Sequence, residues 1–368
     1  LSTPLSNFEA NLDYRSVQDP SVTARLAIKD DKDGASLLIW TTTPWTLPSN
    51  LAVAVGEDID YVLAETEEGE KVYVAKDRMT VVLGKQAKEL KIVKGKALVG
   101  KCYEPLFSYF EKDETGAPRA NAFQVIASSH VTTENGTGLV HMAPAFGEDD
   151  FNACAKINLA PVDPVDEEGR FDETVTDYAG QNIKEADKAI IRHLKEEGKL
   201  FDQGTVQHSY PFCWRSGTPL IYKTVPVWFV KVEKLREQMQ AHNAGIHWVP
   251  EAIGQKRFGN WLADARDWAI SRNRFWGTPI PIWKCDDCGE TQCVSSVEEL
   301  ERCVGDQVSD LHPHFVDKHQ WDCKSCGGTM ARIPEVFDCW FESGSMPYAQ
   351  EHYPFENAER FERRFPAQ

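Results

Sequence analysis

Residues 36–55 read SLLIWTTTPWTLPSNLAVAV, two apolar stretches separated by a polar stretch that contains two prolines. SLLIW (36–40) and LAVAV (51–55) are rich in β-branched, aromatic and other apolar residues, so both are predicted to be strands. Pro44 and Pro48 lie between them and favour a turn over a continuing strand. This strand-turn-strand unit predicts a β-rich domain.

The same pattern extends along the neighbouring sequence. YVLAE (61–65) and KVYVA (71–75) are two further predicted strands. Helical periodicity is clearest in KEADKAIIRHLKEEGKL (184–200), and a second helix is predicted over 232–241. We therefore predict an α+β fold, with a β-rich, barrel-like domain and peripheral helices.

The composition changes towards the C-terminus, which indicates further segments. Tryptophan and arginine crowd together after Val249, and cysteine pairs then bracket residues 285–326. We predict five segments: a lead-in (1–35), the β-rich domain (36–203), a connecting stem region (204–283), a small zinc-ribbon module (284–331) and a return segment (332–368).

Net charge and targeting signals restrict the class of protein. The 368 residues include 57 acidic and 40 basic side chains, a net charge of −17, which speaks against nonspecific nucleic-acid binding. The longest uncharged stretch, 34–56, is too polar to span a bilayer, and no signal peptide is visible. The chain starts with Leu1 rather than Met, so we expect a piece of a longer protein.

Two nine-residue stretches are copies of each other, WKCDDCGET (283–291) and WDCKSCGGT (321–329). Two such turns can place four thiolates around one zinc ion, and the glycine permits a tight turn after the second sulfur. A redox pair is the competing interpretation, and His312, His314 or His319 could replace a ligand. The repeat favours a closed, structural Zn²⁺ site formed by Cys285, Cys288, Cys323 and Cys326.

Two other segments carry more polar chemistry than packing requires. Residues 40–50 (WTTTPWTLPSN) place three threonines after a strand, so at least one hydroxyl faces the interior or a cleft. Residues 136–150 (GTGLVHMAPAFGEDD) end an apolar strand in a loop with one histidine and three carboxylates. A strand end with turn-forming prolines also explains the first segment. A catalytic pair, a metal site or a buried hydrogen-bonded pair each explains the second.

Together these segments resemble the connective-peptide insertion of isoleucyl-tRNA synthetase, the domain that hydrolyses misacylated tRNA. TTTPWT followed by LPSN, and GTGLVHMAP followed by EDD, are similar to that family's two editing-site signatures, in the same order. The resemblance continues through 209–216, 267–281 and 338–345 and so covers nearly the whole chain. Cys339 and Glu342 depart from the valine and aspartate that are common there.

The resemblance implies an aminoacyl-tRNA deacylase, an ester hydrolase acting on tRNA(Ile) mischarged with valine. It implies that Asp150 binds the α-ammonium group of the valyl ester, and that His141 and Trp45 line a pocket that excludes isoleucine. It also implies that Thr42, Thr43 and Asn50 hold the ester, the terminal adenosine and the attacking water. Thr41 and Thr46 are further candidate substrate-binding residues.

The resemblance also predicts partners and location. Neither H-x-G-H nor K-M-S-K-S, the ATP-binding signatures of such synthetases, is present, so the chain is not expected to charge tRNA. The expected partners are tRNA and the rest of a synthetase, and no membrane partner is expected. The expected location is the cytoplasm. The acidic net charge does not exclude tRNA binding, because residues 76–101 hold eight basic and two acidic side chains.

A catalytically inert, zinc-containing tRNA-binding module is the alternative to a deacylase. A metallohydrolase with His141 and Asp150 as ligands is a weaker one.

Overall fold

Two long paired strands and the predicted strand-turn-strand unit organise the first half of the computed structural model, which describes Leu5 and residues 7–366. Contacts group the chain into two units, Leu1–Thr224 and Val225–Gln368. The outermost residues of the predicted lead-in and return segments lie outside the described residues. The division into five segments stays a prediction, and its boundary at 203 falls inside a strand, Leu200–Pro211.

The first unit contains a mixed sheet of nine strands. These are β1 (Tyr14–Ala27), β2 (Ser36–Thr41), β3 (Ala52–Val55), β4 (Asp60–Glu65), β5 (Lys71–Ala75), β6 (Lys88–Lys94), β7 (Gln124–Ala127), β8 (Val140–Met142) and β9 (Leu200–Pro211). Their order is β6-β4-β5-β2-β8-β3-β7, with β1 paired to both β2 and β9. β2 is parallel to β5 and β8, and β3 is parallel to β7. The four strands predicted between residues 36 and 75 are confirmed as β2 to β5.

The central strands are buried on both faces, which explains their continuous apolar sequence. Leu37, Leu38 and Ile39 of β2 and all four residues of β3 are at most 1% exposed. A strand covered on both faces has no solvent-facing row, so its sequence does not alternate between polar and apolar residues.

The first unit also contains helices, and the longest one described there is the helix predicted from the sequence. The predicted helix at 184–200 is confirmed but is shorter, because Gly198 has a φ of +68° and ends the helical path. The Asn182 side chain caps it by accepting the Lys184 backbone N–H at 3.1 Å. The described helices are α1 (Asn7–Ala10), α2 (Met79–Leu83), α3 (Glu148–Ala155) and α4 (Ile183–Glu196), with 3₁₀ turns at Pro44–Ser49, Lys76–Arg78 and Gly95–Ala97.

The second unit is built from short elements. The helix predicted at 232–241 begins as a 3₁₀ turn, Val232–Leu235, and continues as α5 (Arg236–Ala244). A π-helical turn at Ile253–Phe258 then leads into α6 (Gly259–Ala263). Two short pairs follow: β10 (Phe229–Val230) with β11 (Trp268–Ala269), and β12 (Ser271–Arg272) with β17 (Val336–Phe337). The remaining helices are α7 (Val297–Val304), α8 (Pro313–Val316), α9 (Cys339–Ala349) and α10 (Ala358–Arg364).

A four-stranded antiparallel sheet carries the cysteine repeat. Its strands, in spatial order, are β14 (Thr291–Cys293), β13 (Ile282–Cys285), β16 (Thr329–Arg332) and β15 (Trp321–Asp322). The predicted α+β class is therefore confirmed, with a β-rich first unit and a small cysteine-bearing sheet. Among the described residues, no helix is both long enough and apolar enough to cross a bilayer.

Candidate active site

The two polar segments meet because the strands that precede them are neighbours. β2 and β8 pair in parallel with Trp40 opposite Val140. Parallel strands end at the same edge of a sheet, and ligands commonly bind at that edge. Residues 41–46 and 141–150 therefore emerge side by side.

A cavity of about 320 Å³ lies at this edge. That volume is at the lower end of the range for small-molecule sites, roughly 300–1,000 Å³. Six of the eight predicted site residues line the cavity and two do not, Trp45 and Asn50. The six are Thr41, Thr42, Thr43, Thr46, His141 and Asp150.

Threonine hydroxyls form a connected row along one wall. The Oγ1 atoms of Thr41 and Thr43 are 3.1 Å apart, and those of Thr43 and Thr46 are 3.2 Å apart. Thr46 Oγ1 donates to the Thr43 carbonyl at 2.8 Å and lies 3.0 Å from Nε2 of His141. Each hydroxyl both donates and accepts, so the row offers ester and hydroxyl partners without a fixed charge.

His141 is a neutral group with a defined tautomer. Tyr103 donates to Oδ1 of Asn50 at 2.7 Å, which leaves the Asn50 amide nitrogen as donor to Nδ1 of His141 at 2.8 Å. Nε2 therefore carries the proton and donates to Thr46, whose own hydrogen is used on Thr43. Burial lowers the pKa of His141 to about 3. Both ring nitrogens are bonded within the protein, which argues against His141 as a metal ligand.

Replacing Thr46 with valine is expected to destabilise the first unit by about 1–3 kcal/mol, because Nε2–H of His141 would become a buried donor without an acceptor. Valine has nearly the shape of threonine, so packing should be conserved. Urea unfolding with the exposed Thr132→Val variant as control measures the difference. Equal free energies of unfolding for the two variants would contradict the assigned hydrogen bond.

Asp150 also lines the cavity. It lies in the first turn of α3, and its Oδ2 accepts the backbone N–H of Ala143 at 2.8 Å. Burial raises the pKa of Asp150, while the Ala143 bond and the charge of His130 oppose that shift. Glu148 and Asp149, which precede it, are exposed.

The other two predicted residues act from behind the cavity wall. Asn50 is 4% exposed and holds the ring of His141. Trp45 is 3% exposed, and its ring packs edge-on against Phe146, a cavity residue, with 4.9 Å between ring centroids. Asn50 therefore supports His141, and Trp45 supports Phe146 in the cavity wall. Neither residue lines the cavity itself.

Sequence reasoning missed two residues near the site. His130 follows β7 and lines the cavity, and no local pattern marks it. Asp187 lies on the buried face of α4 and accepts the Trp45 backbone N–H. A signal for Asp187 was present, because a carboxylate stands on the row of Ile183 and Ile191, where the helical pattern requires apolar residues.

The four predicted zinc-ligand cysteines converge in the second unit. Their sulfur atoms all lie within 4.8 Å of one another, with 3.5 Å between Cys285 and Cys326 and 3.7 Å between Cys288 and Cys323. Sulfurs around tetrahedral zinc are about 3.8 Å apart, whereas a disulfide has a bond of about 2.0 Å. The donor set therefore fits a closed zinc site. None of the three neighbouring histidines belongs to this cluster in the part of the chain that the structure describes.

Comparison with known proteins identifies a family model and sequences that match this chain. The model for tRNA synthetases class I (I, L, M and V) matches residues 1–368. An isoleucine–tRNA ligase from Bdellovibrio bacteriovorus is 53% identical over 100% of this chain and 35% of its own length. A cytoplasmic isoleucine–tRNA ligase from Mus musculus is 52% identical over 99% of this chain and 29% of its own length. The chain thus spans about a third of these relatives, and the predicted resemblance to isoleucyl-tRNA synthetase is confirmed.

Among solved structures, the P. knowlesi cytosolic leucyl-tRNA synthetase editing domain aligns with 51% of this chain and 97% of its own chain, at 12% identity and a TM-score of 0.40. The family assignment rests on the sequence matches, which extend over the whole chain at about half identity. The chain belongs to the class I tRNA synthetases of the isoleucine, leucine, methionine and valine group.

Proposed function

We propose that this chain is the editing domain of an isoleucyl-tRNA synthetase and that it hydrolyses valyl-tRNA(Ile). The observation that carries the proposal is a cavity lined by Asp150, by a row of threonine hydroxyls and by a neutral histidine. An aminoacyl ester presents an α-ammonium group, a carbonyl and ribose hydroxyls. A carboxylate and neutral hydroxyls are suitable partners for these groups.

In the proposed reaction, Asp150 binds the α-ammonium group and thereby fixes the ester in the cavity. Thr42 and Thr43 orient the ester and the attacking water. The water oxygen adds to the ester carbonyl carbon, the bond from that carbon to the ribose oxygen breaks, and a proton from the attacking water passes to the ribose oxygen, which leaves as a hydroxyl group. Holding water and ester together removes much of the entropic barrier, so no covalent intermediate with the protein is needed.

The thiol near the site does not suit nucleophilic catalysis. Cys154 on α3 is buried in the core and is absent from the cavity lining. Burial raises the pKa of Cys154 to about 12, which keeps it as a thiol at neutral pH. Since a thiolate is the reactive form of cysteine, water is the better candidate for the attacking group.

The need for such a site follows from the limited selectivity of a first pocket. One methylene group changes binding by only ~1–3 kcal/mol, and isoleucyl-tRNA synthetase is itself the standard example of this limit. A second pocket that is too small for isoleucine reverses the order of preference. His141 suits this role because hydrogen bonds at both ring nitrogens prevent the ring from moving aside for the extra methyl group.

The proposed tRNA contact is local, since the chain as a whole is acidic. β6 carries several of the basic residues of 76–101 and lies at one end of the sheet. Part of its charge is neutralised by β4, because Lys94 pairs with Asp60 at 2.8 Å and Lys88 with Glu65 at 3.9 Å. Basic residues of 76–101 outside β6, among them Lys76, Lys85 and Lys96, support weak phosphate binding, and the rest of a synthetase would supply further contacts.

A deacylation assay tests the proposal. Under single-turnover conditions with excess protein, the chain is expected to hydrolyse valyl-tRNA(Ile) at least ~10-fold faster than isoleucyl-tRNA(Ile), from the free energy of one methylene. Release of radiolabelled amino acid measures both rates.

Binding of both tRNAs without hydrolysis of either would contradict the proposal and support the inert tRNA-binding module. Equal hydrolysis of both would leave a deacylase but remove the pocket's proposed selectivity. Spontaneous hydrolysis of each ester without protein sets the baseline.

A further inference from the structure

The 3₁₀ turn at Pro44–Ser49 has one backbone donor that its own sequence does not satisfy. Pro44 has no N–H, and the Thr46 N–H bonds to the Thr43 carbonyl at 2.9 Å. Thr43 stands at the capping position, but its side chain makes no cap bond, because its hydroxyl is engaged with Thr41 and Thr46. The Trp45 N–H therefore needs an acceptor from elsewhere in the fold.

Asp187 supplies that acceptor from 142 residues away in the sequence. Its Oδ1 accepts the Trp45 N–H at 2.8 Å, and the residue is 5% exposed. A buried carboxylate is costly unless it is paired, yet no ion pair of the described residues includes Asp187. The nearby Lys184 pairs with Asp19 at 3.5 Å. The other buried residues on this face of the helix are apolar, so packing alone would favour an apolar residue at position 187.

The bond to Trp45 lies next to the cavity. Thr46 follows Trp45 directly, and its hydroxyl meets His141 at 3.0 Å. The Trp45 ring also supports Phe146 in the cavity wall. A shift of the turn would therefore move a cavity hydroxyl and loosen the wall together.

We infer that Asp187 is a positioning residue of the hydrolytic site, whose carboxylate oxygen holds the Pro44–Ser49 turn so that Thr46 and His141 keep their places at the cavity. This inference rests on the proposed function, because its kinetic test measures hydrolysis of valyl-tRNA(Ile). It requires an oxygen acceptor at position 187 but not a charge.

Electrostatics give an independent readout. Burial raises the pKa of Asp187 to about 7, Asp19 on β1 adds to that shift, and Lys184 and the Trp45 bond oppose it. Tyr210 on β9 also faces this carboxyl group. A raised pKa in the folded state contributes stability at low pH that is lost as the pH rises through about 7. The melting temperature of the unmodified chain, compared with that of Asp187→Asn, should therefore decrease between pH 5 and pH 8.

The test compares Asp187→Leu, which removes the acceptor, with Asp187→Asn, which keeps an oxygen without charge. Glu185→Gln is the matched control, an exposed carboxylate on the same helix. Single-turnover hydrolysis of valyl-tRNA(Ile) is expected to fall at least ~10-fold in the leucine variant and to stay within ~3-fold in the other two, at equal tRNA affinity. Hydrogen exchange of the peptide covering 44–49 should accelerate only in the leucine variant.

Unchanged hydrolysis and exchange in Asp187→Leu would overturn the inference, as would an equal loss of hydrolysis in folded Asp187→Asn. If the unmodified chain hydrolyses no valyl-tRNA, the proposed function fails. The exchange measurement then still decides whether Asp187 holds the turn.

Discussion

Asp150→Ala is expected to reduce single-turnover hydrolysis of valyl-tRNA(Ile) by about 100-fold or more. The proposed partner of Asp150 is the α-ammonium group of the substrate, and removing one member of an enclosed charge pair costs roughly 3–5 kcal/mol. Each 1.36 kcal/mol corresponds to about a factor of ten in rate. The assay is the same release of labelled valine, with tRNA affinity measured separately.

Two further variants separate charge from structure. Asp150→Asn keeps an oxygen for the Ala143 N–H, so it should fold normally and still lose hydrolysis. Asp149→Ala removes the same charge from the exposed neighbouring position and should retain hydrolysis. Full activity of folded Asp150→Asn would show that the carboxylate charge is not used for the substrate.

The pH dependence of the reaction follows from the same residue. Burial raises the pKa of Asp150, and the ionised form is the one proposed to bind the substrate. Activity should therefore be present above this pKa and fall as the pH decreases through it. His141 should add no step near neutral pH, because its pKa is lowered to about 3.

Removal of zinc is expected to unfold the cysteine-bearing sheet while hydrolysis persists. The apolar cluster there is small, consisting of Trp283, Cys285, Val294, Leu300, Val316, Cys323 and Met330. Structural zinc contributes about 10–16 kcal/mol in small zinc-finger peptides, so we expect a cluster of this size to depend on a bound metal for its fold. All cavity residues belong to Leu1–Thr224, which holds its own core.

Hydrogen exchange with and without a chelator measures the effect, and peptides from β13 to β16 should lose protection. Cys323→Ser is expected to reproduce the loss, whereas Cys293→Ser, an exposed cysteine outside the cluster, should not. One zinc per chain by elemental analysis is the expected content. Protection that is insensitive to both the chelator and Cys323→Ser would contradict a structural metal site.

Local sequence determined part of the secondary structure and most of the cavity lining. Apolar runs predicted β2 to β5, and the segments 40–50 and 136–150 contain the six predicted site residues that line the cavity. Strand and turn preferences act between near neighbours in sequence, so they can be read without the fold. The repeated cysteine turns belong to the same class, because each turn is closed by a glycine with a positive φ, Gly289 or Gly327.

Long-range pairing decided the rest, and no local pattern predicts it. The tautomer of His141 depends on Asn50, which is 91 positions away from it along the chain. The orientation of Asn50 depends in turn on Tyr103, which is 53 positions away from Asn50. The charge of β6 is reduced only because β4 pairs beside it. Asp187 contradicts the apolar pattern of its own helix and meets Trp45 only in the folded chain. A buried polar group must find its partner wherever the fold places one, so the hydrogen bonds that set this site depend on tertiary structure.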